Sequence, residues 1–128
     1  MSGPLELRAL IVEADPGLQE MFEILLEGWS LRFVGDPWVM PDPTPANVDL
    51  LVIDEDYPGG PDWRTLESLE SLTRHLPTIV LRTAGAPLRV NPTMLILPKP
   101  FPVSLFLTFA DAVRQAKANA TPPPEPCT

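Results

Sequence analysis

Five short apolar runs punctuate this chain, and helical spacing fills several of the intervals between them. Leu7 to Val12 is apolar, ends in β-branched residues and is short enough for a buried strand. Leu31 to Val34, Leu50 to Ile53, Thr78 to Leu81 and Met94 to Leu97 repeat the pattern, the third run being apolar on both faces. Asp15-Pro16 reads as an N-cap followed by proline in the first turn. Leu18, Met21, Phe22, Leu25 and Leu26 then recur at helical spacing, with Gly28 as a stop. Pro61-Asp62 opens another helix, with Leu66, Leu69 and Leu72 on one stripe, His75 near its end and Pro77 breaking it. A last amphipathic helix follows Pro102, marked by Leu105, Phe106, Phe109, Ala112, Val113 and Ala116.

Strands alternating with helices predict a three-layer α/β sandwich with right-handed crossovers. Two crossovers are interrupted. Proline at 37, 41, 43 and 45, and again at 87 and 92, forbids a regular helix of any length in either place, so loops or single turns are expected there. The chain's 128 residues suit one domain, expected over residues 5–118, with a Pro-rich tail or linker over 119–128.

Charge and composition narrow the function. Seventeen acidic residues against nine Lys and Arg give a net charge of −8, and the nine are scattered, which disfavours direct nucleic-acid binding. No stretch approaches the ~20 apolar residues of a membrane span. The first ten residues lack the pattern of a secretory signal, and Cys127 has no second cysteine to pair with. A cytoplasmic location is the expectation.

Chemistry concentrates where strands should end. Asp54 closes the third run, and Lys99-Pro100-Phe101 closes the fifth. In open α/β sheets reactive groups gather at the carboxyl ends of strands, near the reversal of strand order. Four segments, in order, resemble the receiver domain of two-component response regulators, from about Leu5 to Lys117. Ile11-Val12-Glu13-Ala14-Asp15-Pro16 resembles the acidic end of its first strand. Asp49 to Asp54 with Pro58-Gly59 resembles the phosphoacceptor strand and turn. Leu76 to Leu81 with Thr83-Ala84 resembles the fourth strand and switch hydroxyl, and Lys99-Pro100-Phe101 matches the Lys-Pro-Phe signature.

The resemblance implies a flavodoxin-like sandwich with a five-stranded parallel sheet in the order 2-1-3-4-5, its second and fourth helices shortened or lost. It implies Asp54 as phosphoacceptor, Lys99 pairing with the phosphoryl group and Thr83 hydrogen-bonding it. It also implies Mg²⁺ held by Glu13, Asp54 and Asp56, because a carboxylate accepts a phosphoryl group when cations neutralise the oxygens. The implied partners are a histidine kinase or phosphotransfer protein and a downstream protein, and the resemblance leaves a homodimer open.

The chain also departs from the pattern. Ala14 stands where a second acid is usual, which implies weaker Mg²⁺ binding; Asp56 either compensates or repels the donor. Counted from Pro77, the hydroxyl position falls on Arg82, and Thr83 fits only with a one-residue bulge. Ile96 stands where an aromatic is usual. These departures support an alternative, a phosphorylation-independent pseudo-receiver that acts as a protein-interaction module. A remote third reading takes Asp54-Glu55-Asp56 as the nucleophile motif of haloacid-dehalogenase-type phosphatases; the receiver reading makes the chain a signalling domain and not an enzyme.

Overall fold

A computed structural model describes residues 6–34, 48–54, 76–83, 85–91 and 93–120. Its elements are β1 (Arg8–Val12), α1 (Pro16–Leu25), β2 (Ser30–Val34), β3 (Leu50–Asp54), β4 (Thr78–Arg82), β5 (Leu88–Asn91), β6 (Met94–Pro98) and α2 (Val103–Ala120). One sheet orders the strands β2-β1-β3-β4-β6-β5. The five apolar runs are its parallel strands, in the expected order.

The sixth strand corrects the expectation of a loop between Thr83 and Met94. β5 pairs antiparallel with β6 at the sheet edge, with a register shift between Arg89 and Asn91. Proline bars a helix there, yet an edge strand tolerates proline at its borders because one side of its backbone needs no partner. The fourth helix is therefore replaced by a strand. Arg89 also lies over the Phe109 ring at 5.6 Å, tying this edge to α2.

Alternation along the strands sorts the core into two faces. Ala9, Ile11, Leu50, Val52, Ile79, Leu81 and Leu97 meet Phe22 of α1 and Phe106, Phe109, Ala110 and Val113 of α2. Leu10, Val12, Leu51, Ile53, Val80 and Ile96 form the opposite core with Val48 and Leu76. The central strands β1, β3 and β4 are thus buried on both faces, as near-continuous apolar parallel strands require. Ile96, the residue in place of an aromatic, is part of that second core.

Local chemistry sets the helix ends. Asp15 caps α1: its side chain accepts from the Gly17 N–H at 2.9 Å, with Pro16 in the first turn. Past the helix, Gly28 takes φ +90, which a side chain disfavours although space for one exists. Trp29 then turns into the core. α2 continues through Ala120, two residues beyond the expected domain end, a difference within the usual fraying of helix termini. Residues 35–47 with Trp38, the helix expected from Pro61 with His75, and the tail from Thr121 lie outside the described residues. Among the described residues no helix is long and apolar enough to cross a membrane.

Candidate functional site at the sheet rim

Strand order reverses between β1 and β3, because the chain leaves β1 for β2 on one side and returns through β3 on the other. Glu13 and Asp54 stand at that reversal. The ladder continues past β1 through the Glu13 N–H, which donates to the Val34 carbonyl at 2.9 Å, and past β6 through the Lys99 N–H, which donates to the Arg82 carbonyl at 2.6 Å. Glu13 follows Ile11 by two residues, Asp54 follows Val52, and Lys99 follows Leu97. Alternation therefore directs all three side chains to the α1–α2 face. That parity is why an acid, an acid and a lysine far apart in sequence converge.

Lys99 Nζ donates to Asp54 Oδ1 at 2.7 Å, and the Asp54 side chain is only 5% exposed. The neighbouring Phe101 holds the lysine's backbone in place. Its ring stacks on Phe22, with centroids 6.0 Å apart and planes within 3°, and packs on Phe106 at 5.3 Å. The peptide between Lys99 and Pro100 is cis. The Lys-Pro-Phe segment thus joins the charged rim to the aromatic core of both helices.

Glu13 is 2% exposed. Its Oε1 accepts from the Asp15 N–H at 3.0 Å, and Gln19 Nε2 donates to its carbonyl at 2.7 Å. Its Oε2 is buried without a hydrogen-bond partner. Burial first, and then the Asp54 carboxyl beside it, raise the Glu13 pKa from 4.5 to about 7, against the opposing pull of the Asp15 N–H and Lys99. A buried carboxylate oxygen without a partner is costly. A cation between Glu13 and Asp54 would satisfy it and offset the repulsion, and Mg²⁺ commonly takes one or two carboxylates while keeping several waters. These two residues therefore fit the ion. Among the described residues no group of three or more His, Cys, Asp or Glu converges on a metal position. Asp56, the third expected oxygen source and the second acid of the phosphatase reading, lies outside the described residues.

Thr83 is not brought into this cluster. β4 pairs with β3 and β6 without a bulge, Leu81 lying opposite Asp54 and Arg82 opposite Pro98. The bulge that would move Thr83 back by one residue is missing, because β4 keeps one unbroken register with both of its neighbours. Arg82 holds the last paired position, and Thr83 is exposed beyond it. Ala14 is exposed and offers no oxygen side chain, as its identity requires.

A second charged cluster at the other end of the sheet has no counterpart in the sequence reading. Asp49 Oδ2 accepts from the Arg8 N–H at 2.8 Å, from Arg8 Nε at 3.2 Å and from Lys117 Nζ at 3.0 Å. Lys117 Nζ also donates to the Glu6 carbonyl. Burial works to raise the Asp49 pKa, but the bonds from Arg8 and Lys117 outweigh it and hold the carboxyl below its ordinary 3.8. The only sequence signal was an acid directly before an apolar run.

No family model matches the sequence, and no curated protein matches it. Solved structures do. A response regulator receiver protein from Sinorhizobium medicae WSM419 is 19% identical with a TM-score of 0.62, covering 88% of this chain and 97% of that one. The non-phosphorylated HemR receiver domain from Leptospira biflexa is 24% identical at 0.62, covering 94% and 100%. The signal receiver domain of a DNA-binding response regulator from Colwellia psychrerythraea 34H is 16% identical at 0.64, covering 86% and 99%. At such identities the similarity carries the backbone and not the chemistry. With the parallel sheet and the rim residues already placed, it shows that this chain has the fold of the response-regulator receiver domain.

Proposed function

We propose that this chain is a signalling receiver module that accepts a phosphoryl group on Asp54 from a histidine kinase or phosphotransfer protein. The observation that carries the reading is the Lys99–Asp54 pair at 2.7 Å beside the buried, unpartnered oxygen of Glu13. A carboxylate oxygen of Asp54 forms the new O–P bond as the donor's P–N bond breaks, its electron pair passing to the imidazole nitrogen. The product is an acyl phosphate and a free histidine. Lys99 orients the carboxylate before transfer and pairs with the added charge after it. Glu13 and Asp54 would hold Mg²⁺, with Asp56 as the further candidate, and the ion supplies neutralisation of the phosphoryl oxygens. A downstream protein then reads the occupied rim.

The test is phosphoryl transfer from a phosphohistidine donor protein in the presence of Mg²⁺. Label should leave the donor, appear on this chain, and fail to appear on Asp54→Asn. Retention of all label on every donor offered would defeat the reading.

A specific observation favours a second reading, a constitutive interaction module. Thr83 stands exposed beyond an unbroken ladder, and Ala14 supplies no acid. On this reading a protein partner binds wild type and Asp54→Asn with equal affinity. Binding that requires phosphorylation would refute it.

A further inference from the structure

Four strand ends along the rim carry charge, in the order in which the strands lie: Glu13 after β1, Asp54 on β3, Arg82 on β4 and Lys99 after β6. The ladder fixes their relative heights. Leu81 pairs with Asp54, and Arg82 follows without a bulge, one residue further out on the neighbouring strand. A strand spacing of ~4.8 Å and a rise of ~3.3 Å per residue put the two Cα atoms roughly 6 Å apart. An arginine side chain spans that distance. Its carbonyl accepts the Lys99 N–H at 2.6 Å, so the two cations are carried by segments bonded to each other.

Alternation starts the Arg82 side chain on the face of Val80 and Ile96, across the sheet from Asp54. It is half-buried and already engaged in the present state. Arg82 is thus a cation on the strand next to the acceptor's, one residue further out along the rim. Charge gives it reason to move. Lys99 now balances Asp54 one for one. An acyl phosphate carries up to about two negative charges where the carboxylate carried one, and position 14 offers no acid to help hold a compensating metal. Thr83, neutral and outside the ladder, adds none.

We propose that Arg82 is the second cation of this site, swinging over the rim to bind, beside Lys99, the phosphoryl oxygens carried on Asp54. The proposal rests on the receiver reading above. The planar guanidinium can offer two parallel N–H donors to one anion, which the ammonium of Lys99 cannot.

Beryllofluoride with Mg²⁺ is the probe, titrated against the full chain and followed by fluorine NMR and tryptophan fluorescence. Arg82→Ala should bind it about 10- to 100-fold more weakly than wild type. Arg82→Lys should recover part of the loss, because it keeps the charge but not the fork. Wild-type affinity should also fall more steeply with added salt than that of Arg82→Gln, a slope that a purely structural role would not change. Urea unfolding checks each variant, and Arg82→Gln carries the same expectation if Arg82→Ala does not fold. Wild-type affinity in Arg82→Ala or Arg82→Gln overturns the proposal and leaves the Asp54 reading intact. Failure of wild type itself to bind the probe overturns both.

Discussion

Glu13→Gln removes a buried carboxyl that the fold holds near neutrality, and its effect on stability has a defined pH window. In the unfolded chain this carboxyl titrates at its ordinary 4.5, and in the fold at about 7, chiefly because burial and then Asp54 disfavour its charge. At 1.36 kcal/mol for each pH unit, ionising Glu13 in the fold costs about 3 kcal/mol more than ionising it in the unfolded chain. The sign follows from proton counts. Between pH 4.5 and 7 the folded state binds more protons than the unfolded state, so stability falls as pH rises through that window and levels off above it. Glutamine keeps an oxygen for the Asp15 N–H and places an amide, not a charge, beside Asp54. Urea unfolding at several pH values from 5 to 8 should show Glu13→Gln gaining on wild type by roughly 2–3 kcal/mol across the window. Added Mg²⁺ should raise wild-type stability at pH 8 and leave the variant nearly unchanged, because a ligand of the folded state stabilises by mass action. Parallel pH profiles for the two proteins would refute the reasoning.

Phe101→Ala should cost about 3–5 kcal/mol in urea unfolding, because the ring is packed between Phe22 and Phe106; a loss below about 1 kcal/mol would show that the aromatic cluster does not anchor the Lys99 segment. Asp49→Asn should be less stable than wild type at pH 7 by about 1–3 kcal/mol, since the acid bridges Arg8 and Lys117. The native Asp49 pKa is depressed, so its contribution is present above the ordinary 3.8 and is lost as pH falls through the folded value. The gap between variant and wild type should therefore narrow as pH falls below 3.8, and a constant gap in acid unfolding would contradict the assignment.

The parallel strands were legible because each is a short, mainly apolar run, and every observed boundary lies within a residue of the expected one. Asp54 and Lys99 were legible for a related reason: strand parity carries the residue just past a buried run onto a predictable face. The edge strand β5 was hidden by prolines 87 and 92, which exclude a helix but permit a border strand. Register across strands was the other blind spot. Whether Arg82 or Thr83 ends β4 depends on pairing with Asp54 and Pro98, which no local pattern encodes. Likewise, Asp49 meets Arg8 across 41 positions and Lys117 across 68, so its role emerges only from the tertiary structure. The unpartnered oxygen of Glu13 is of the same kind, being a property of burial and not of composition.

The central claim is that Asp54 accepts a phosphoryl group, and a small acyl phosphate offered with millimolar Mg²⁺ tests it without any partner protein. Intact-mass measurement followed by peptide mapping should find one phosphoryl group per chain, located on Asp54, and none on Asp54→Asn. An unchanged wild-type mass, or a modification that persists in Asp54→Asn, would contradict the account.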